Sequence, residues 1–167
     1  HIKQGKRQVG STFKPFVYAT AIMKLGLTPC STISNASFDK GAYHVPGRGG
    51  MLTLKDALAH SQNPVALILA EMTGTQSVIQ TARDLGVTEE ISTSLPMALG
   101  SSDITIYEML GAYSTFANYG NYNKPEMIWR IEDANNRVIK EINAEPREVM
   151  NPNYAYTMIE LMKGVAQ

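Results

Sequence analysis

The chain has 167 residues, 44% hydrophobic and 18% charged, which suits one folded domain with a buried core. Its 15 basic side chains balance its 15 acidic ones, so no basic surface predicts a nucleic-acid partner. The single cysteine, Cys30, excludes an internal disulfide and forms no zinc-ligand pattern, and no run of about 18 apolar residues predicts a membrane span. No metal or cofactor is therefore expected.

A helix predicted over residues 11–25 carries a candidate nucleophile in its first turn. Phe13 and Phe16 begin an apolar series at helical spacing behind Ser11 and Lys14. Residues three apart on a helix have Cβ atoms about 5–6 Å from each other, so the serine and the lysine are expected side by side. Burial beside a helix start lowers the pKa of a lysine, which can then accept the serine proton. The backbone N–H of Ser11 is a candidate oxyanion donor.

The same spacing occurs a second time, at Ser37 and Lys40. This copy lies in a stretch rich in Ser, Asn, Gly and Pro, residues 27–50, which predicts a long loop with a short strand pairing. A loop fixes no geometry between the two side chains, so we interpret this copy as inert. Because so short a motif recurs by chance, the case for Ser11 depends on its surroundings.

The middle of the chain presents two more polar side chains. Thr53 and Asp56 form a predicted capping box at the start of a short helix. Pro64 disfavours the helical conformation at Asn63, so a turn is expected between that helix and the next one. Ser61 and Asn63 are thus predicted on a short, stiff connector.

The second half of the chain predicts further helices and one β-hairpin. Residues 126–132 and 137–142 alternate apolar and polar side chains, as the two strands of a hairpin do. Polar residues with capping character predict three more helix starts, at Thr75, Thr105 and Asn151.

Ser11-x-x-Lys14, followed 50 residues later by Ser61-x-Asn63, is the order of the first two active-site motifs of penicillin-recognising serine enzymes. Longer strings carry the resemblance further, among them Arg-Gln-Val-Gly-Ser-Thr-Phe-Lys-Pro-Phe-Val-Tyr and Leu-Pro-Met-Ala-Leu-Gly-Ser-Ser-Asp-Ile-Thr. Together they resemble the transpeptidase domain of class A, bifunctional penicillin-binding proteins. The matching segments are residues 7–18, 95–105, 112–120, 127–133 and 155–165.

The resemblance implies an α+β fold, mainly the helical lobe of a penicillin-binding-protein or serine β-lactamase-like transpeptidase fold with a small β-hairpin. The central-sheet strands are expected to be largely missing from this chain. Residues 1–167 are then a partial transpeptidase domain from a longer, membrane-anchored parent with a glycosyltransferase domain upstream. The implied location is the extracytoplasmic face of the bacterial cytoplasmic membrane.

The resemblance also implies a reaction. Ser11 is acylated by the D-Ala-D-Ala end of a peptidoglycan stem peptide, and an amine of a neighbouring stem completes the crosslink. Lys14 takes the serine proton, Ser61 relays a proton to the leaving amine, and Asn63 holds the lysine and the substrate amide. β-Lactam antibiotics acylate the same serine as substrate mimics.

Two departures from the family pattern qualify this expectation. Val9 stands where the family usually has proline, and the sequence contains no Lys-Thr-Gly or Lys-Ser-Gly third motif. We expect that motif beyond the C-terminus, so this piece alone should have little or no activity. Tyr119-x-Asn121 has the spacing of a variant second motif, but its position predicts a turn.

Two other hypotheses remain open on the sequence. One is a β-lactamase or a β-lactam sensor of the same superfamily, for which no deacylating glutamate stands out. The other is a non-catalytic helical interaction domain in which the serine and the lysine are inert.

Overall fold

The computed structural model describes residues 2–41, 43–143 and 145–166. Within these ranges two 3₁₀ helices, Gly10–Phe13 and Leu95–Leu99, accompany six α-helices. The α-helices are α1 (Lys14–Leu25), α2 (Leu54–Ala59), α3 (Asn63–Thr73), α4 (Thr75–Asp84), α5 (Ile106–Ala117) and α6 (Pro152–Lys163).

The strands of the described ranges are short and pair antiparallel in twos, so no larger sheet forms there. This arrangement confirms the predicted α+β fold class with helices dominant. The pairs are β1 (Lys6–Gln8) with β6 (Asp103–Thr105), β2 (Thr32–Ser34) with β5 (Met51–Thr53), β3 (Phe38–Lys40) with β4 (Tyr43–Val45), β7 (Asn121–Tyr122) with β10 (Arg147–Glu148), and β8 (Arg130–Glu132) with β9 (Val138–Glu141).

Helix α1 lies at the centre of the molecule. All its residues from Lys14 to Ile22 are buried, and it packs against α3, α4 and α6. A helix that is buried all round must be apolar on nearly every face, and here the buried stretch is apolar apart from Lys14 and Thr20, whose hydroxyl donates to the Phe16 carbonyl. The chain therefore surrounds the helix that follows Ser11.

The predicted helix over residues 11–25 begins differently from the expectation. Residues 10–13 form a 3₁₀ turn, and the α-helix starts at Lys14. The cause is Pro15, which lacks the N–H that an α-helical bond to the Ser11 carbonyl requires. The Lys14 N–H donates to that carbonyl instead, in the tighter 3₁₀ pattern.

Three predicted caps are confirmed and one is wrong. The side chains of Thr53, Thr105 and Asn151 accept backbone N–H bonds at the starts of α2, α5 and α6. Thr75 is not a cap, because Gly74, at φ +83°, alone separates α3 from α4 and occupies the capping position.

Other expectations are met with shifted boundaries. The predicted loop over residues 27–50 contains strands β2, β3 and β4, and the predicted hairpin is the pair β8–β9. The prediction that Asn63 lies in the connector is wrong, because Asn63 is the first residue of α3. Pro64 is the second residue of that helix, where its missing N–H would have had no partner inside the helix, so the proline is compatible with a helical Asn63. None of the helices in the described ranges has the length and hydropathy needed to cross a bilayer.

Candidate active site

The turn that carries Ser11 is held from behind by the segment after the second 3₁₀ helix. The Gly10 N–H donates to the carbonyl of Gly100 at 3.0 Å, and the Val9 N–H donates to that of Ser102 at 3.3 Å. Strands β1 and β6, which flank these contacts, continue the pairing. Two segments far apart in the sequence therefore fix the backbone that precedes the serine.

Lys14 is buried, with 1% of its surface exposed, and directs its amine at the α2–α3 connection. Its Nζ donates to the Ser61 carbonyl at 2.5 Å, to Ser61 Oγ at 2.8 Å and to Asn63 Oδ1 at 2.6 Å. Burial lowers the pKa of Lys14 from 10.5 to about 8, in the direction predicted from the sequence. A substantial fraction of this lysine is thus neutral near pH 8.

Ser61 occupies a left-handed backbone conformation, at φ +51°, which a residue with a side chain adopts at a cost. Its N–H donates to the Leu58 carbonyl at 2.9 Å, which closes the end of α2. This geometry presents both its carbonyl and its hydroxyl to Lys14. The Ser61 hydroxyl also donates to Ser11 Oγ at 3.0 Å.

The four residues predicted from the sequence, Ser11, Lys14, Ser61 and Asn63, form one hydrogen-bonded chain. Among the described contacts Lys14 reaches Ser11 only through the Ser61 hydroxyl, whereas the sequence suggested a direct neighbour. When Lys14 is neutral, the rotatable hydroxyls allow the bonds to reverse, so that Ser11 donates to Ser61 and Ser61 donates to Lys14. The arrangement can therefore carry a proton from Ser11 to Lys14.

The backbone N–H of Ser11 makes no hydrogen bond to any described residue. It belongs to the first turn of a helical segment, where N–H groups have no partner inside the helix. Such a group is available to a negative oxygen bound beside the serine hydroxyl.

A cleft of about 630 Å³ opens beside the serine. The polar residues that line it are Ser11, Thr12, Lys14, Ser61 and Tyr113, and its apolar side includes Leu58 and Met162. Among the described residues no carboxylate lines this cleft. The polar atoms are thus concentrated at one wall of an otherwise apolar site.

The two other candidate motifs, Ser37-x-x-Lys40 and Tyr119-x-Asn121, do not form sites in the structure. The Ser37 hydroxyl accepts from the Gly47 N–H at 3.1 Å, while Lys40 pairs with Glu71 at 2.5 Å, so neither bonds the other. Tyr119, at φ +50°, lies in the turn that leads from α5 to β7, as its position predicted.

A family model described as the penicillin binding protein transpeptidase domain matches residues 3–167. The chain belongs to this transpeptidase family. Among curated relatives, penicillin-binding protein 1A of Aquifex aeolicus is 31% identical over 95% of this chain and 23% of its own length. Penicillin-binding protein 2D of Bacillus subtilis is 30% identical over 97% of this chain and 25% of its own length. The chain spans about a quarter of these relatives.

Solved structures share the fold. Penicillin-Binding Protein 1A from Haemophilus influenzae matches 94% of this chain and 29% of its own, with a TM-score of 0.84 and 23% identity. Penicillin-binding protein A from M. tuberculosis, solved as an imipenem acyl-enzyme complex, matches 96% of this chain and 44% of its own, with a TM-score of 0.85 and 18% identity. The predicted penicillin-binding-protein transpeptidase fold is confirmed.

Sequence reasoning missed two residues around the turn that carries Ser11. Gly100 has φ +76°, and a Cβ there would lie 2.0 Å from the Gly10 carbonyl oxygen. The Tyr113 hydroxyl donates to the Thr12 carbonyl at 2.8 Å. In the sequence Gly100 stood out only as part of a string that carried the family resemblance, and no local pattern links Tyr113 to a residue 101 positions earlier.

Proposed function

We propose that this chain is the part of a peptidoglycan D,D-transpeptidase domain that carries the first two active-site motifs. Ser11 is the nucleophile, Lys14 the general base, Ser61 the proton relay and Asn63 the residue that holds the lysine and the substrate amide. The observation that carries the proposal is the continuous chain of hydrogen bonds from Ser11 Oγ through Ser61 Oγ to the buried Lys14 Nζ.

In the acylation half-reaction Ser11 Oγ attacks the carbonyl carbon of the D-Ala-D-Ala peptide bond. The serine proton passes through Ser61 to neutral Lys14, and the free N–H of Ser11 donates to the oxyanion. When the tetrahedral intermediate collapses, the C–N bond breaks and the proton returns through Ser61 to the leaving D-alanine amine. The product is an ester on Ser11, and a β-lactam forms the corresponding ester when its ring opens.

In the second half-reaction an amine of a neighbouring stem peptide attacks the ester. Lys14 accepts the amine proton by the same relay, the ester bond breaks, and Ser11 Oγ regains a proton. The new amide is the crosslink. The same four side chains therefore serve both halves, with the relay running in opposite directions.

The composition of the cleft favours a transpeptidase over a β-lactamase. A β-lactamase must activate water against the acyl-enzyme, and no carboxylate lines the cleft among the described residues. The apolar wall of Leu58 and Met162 also offers water few partners. We therefore expect a long-lived penicilloyl ester, as in a penicillin-binding protein or a β-lactam sensor.

The proposal extends to the parent protein through the resemblance to class A penicillin-binding proteins. Its partners are peptidoglycan stem peptides and β-lactam antibiotics, with a glycosyltransferase domain upstream of this chain. Because peptidoglycan is crosslinked outside the cytoplasmic membrane, the domain acts at the extracytoplasmic face of that membrane. A Lys-Thr-Gly strand that follows residue 167 completes the oxyanion site and binds the substrate carboxylate.

The first test is the intact mass of the protein after incubation with benzylpenicillin, followed by peptide mapping. Labelling is measured on this chain and on a longer chain that continues into a Lys-Thr-Gly strand. We expect one penicilloyl adduct on Ser11 in the longer chain and weak labelling in the shorter one. Ser11→Ala should abolish the adduct, whereas Ser37→Ala, in the second Ser-x-x-Lys copy, should keep it.

The outcomes separate the hypotheses. An adduct that persists for hours supports the transpeptidase or a sensor, and an adduct that turns over rapidly supports a β-lactamase. No adduct on a longer chain with native circular dichroism would remove the acyl-enzyme proposal and leave the interaction domain. If the adduct is long-lived, a second assay distinguishes the transpeptidase from a sensor: only the transpeptidase should crosslink stem peptides to an added amine.

A further inference from the structure

Tyr113 connects helix α5 to the turn that carries the nucleophile. Its ring packs edge-on against Phe16 of α1, with centroids 6.3 Å apart, and edge-on against Phe116 at 6.2 Å. Its hydroxyl donates to the Thr12 carbonyl at 2.8 Å. The residue therefore touches the helix that follows Ser11 and the residue immediately after Ser11.

The carbonyl that Tyr113 binds, that of Thr12, lacks the backbone donor that a continued 3₁₀ turn would supply. In the 3₁₀ turn each carbonyl accepts from the N–H three residues later, as Ser11 does from Lys14. By that pattern the Thr12 carbonyl would accept from residue 15, but this residue is proline and has no N–H. The Tyr113 hydroxyl donates to the carbonyl at the point where the 3₁₀ pattern loses its donor.

The tyrosine is suited to act as a fixed donor. Burial raises the pKa of Tyr113 to about 12, so the hydroxyl keeps its proton through the neutral range. Its helix is fixed at the start by the Thr105 cap and by the buried carboxylate of Glu108, which accepts from the Thr88 N–H at 2.7 Å. The aromatic contacts restrict the ring, so the hydroxyl stays within hydrogen-bonding distance of the Thr12 carbonyl.

We propose that Tyr113 is a positioning residue for the nucleophile, which holds the 3₁₀ turn through the Thr12 carbonyl so that Ser11 Oγ stays within reach of Ser61 Oγ. The inference rests on the proposed acyl transfer at Ser11. The side chain of Tyr113 also lines the cleft, but its hydroxyl donates to the Thr12 carbonyl. Loss of the hydroxyl alone keeps the ring in the cleft wall and removes the backbone contact, so we expect the acylation step to change more than the initial binding of the substrate. Without the hydroxyl, the turn can relax away from the 3.0 Å contact between the two serines.

The test compares two tyrosines on the same helix that make the same kind of bond. Tyr113→Phe removes the bond to Thr12, and Tyr107→Phe removes a bond of 2.5 Å to the carbonyl of Pro125, outside the site. Both variants lose one hydroxyl and one tyrosine-to-carbonyl hydrogen bond, so their effects on stability should be similar. Only the first should change the geometry at Ser11.

The primary measurement is the time course of benzylpenicillin acylation at several concentrations on the longer chain, which separates the dissociation constant of the initial complex from the first-order rate k2. For Tyr113→Phe we expect k2 to fall about tenfold, the equivalent of one hydrogen bond, with the dissociation constant within about twofold of wild type. Tyr107→Phe should leave both unchanged. A wild-type k2 in Tyr113→Phe, or an equal loss in Tyr107→Phe, would overturn the proposal.

A second measurement does not depend on acylation. Backbone amide hydrogen exchange, followed by NMR on this chain, should accelerate at residues 12–14 in Tyr113→Phe and stay unchanged there in Tyr107→Phe. If the wild type gives no Ser11 adduct, the proposed function fails and this comparison alone decides the role of Tyr113. Unchanged exchange at residues 12–14 in Tyr113→Phe would then refute it.

Discussion

The N–H of Gly10 donates to the carbonyl of Gly100 at 3.0 Å, and both glycines have positive φ, +54° and +76°. The two backbones meet directly behind Ser11, the residue after Gly10. A Cβ added at Gly100 would lie 2.0 Å from the Gly10 oxygen and 2.5 Å from its nitrogen. The position of the turn that carries Ser11 thus depends on a close approach that only a residue without a side chain permits.

We expect Gly100→Ala to destabilise the fold by about 3 kcal/mol or more, because the left-handed backbone and the backbone clash both oppose the new methyl group. Gly49→Ala is the matched control. It has a similar φ, +73°, and open space around the added atom, so it should cost only about 1–2 kcal/mol. Urea unfolding of the two variants measures the difference. If the two variants lose the same free energy of unfolding, the clash with Gly10 does not contribute to the cost.

The pKa of Lys14, lowered by burial to about 8, predicts the pH dependence of acylation. Only the neutral amine accepts the serine proton, and below pH 8 the ammonium form dominates. The rate of penicillin acylation should therefore rise about tenfold per pH unit up to pH 8 and then level off. Lys24→Met, which removes a lysine of the same helix outside the site, should keep this profile. A flat profile between pH 6 and 9 would argue against Lys14 as the base.

Asn63→Asp should move that profile to higher pH. Asn63 Oδ1 lies 2.6 Å from Lys14 Nζ, so the substitution places a carboxylate against the amine. The opposite charge favours the ammonium form and raises the pKa of Lys14 by about one pH unit or more. Acylation at pH 8 should fall accordingly and recover at higher pH.

The control for Asn63→Asp adds the same charge one residue earlier. Gln62 lies in the α2–α3 connection and its side chain donates to the His60 carbonyl, away from Lys14. Gln62→Glu should shift the midpoint of the pH profile of acylation much less than Asn63→Asp does. If both variants shift the midpoint equally, the shift comes from the added charge in general and not from direct contact between residue 63 and the Lys14 amine.

Much of the site could be predicted because its signals are local. The i, i+3 spacing of Ser11 and Lys14 and the apolar residues around them indicated a buried lysine at a helix start. Pro64 indicated a break between two helices beside Ser61, although it wrongly placed Asn63 in the turn and not in the first turn of α3. These features depend on neighbours in the sequence, so one sequence suffices to recognise them.

The remaining features depend on tertiary contacts. The hydrogen bond from Ser61 to Ser11 requires the end of α2 to meet the start of α1, and no sequence pattern signals the left-handed φ of Ser61. The contacts from Gly100 and Tyr113 to the turn that carries Ser11 join residues about a hundred positions apart. Thr75 failed as a predicted cap because Gly74 alone separates two helices, a detail of packing that capping statistics do not contain.

Glu108 gives a last prediction, about the support of helix α5. Its side chain is buried, and although burial alone would raise its pKa, hydrogen bonds from Thr88 and Thr105 lower the pKa below its usual range. Since the folded state binds this proton less tightly than the unfolded state, the contribution to stability is present above pH 4.5 and is lost as the pH falls through the pKa of the folded state.

Glu108→Gln should therefore cost about 2 kcal/mol at pH 7, because charge-assisted bonds become neutral ones, and the difference from wild type should shrink in acid. Glu89→Gln is the control: it breaks a more exposed ion pair of 2.5 Å with Lys6 and should cost less than Glu108→Gln does. Urea unfolding at pH 7 and at pH 3 measures both. A Glu108→Gln cost that is the same at the two pH values would mean that the lowered pKa does not stabilise this helix.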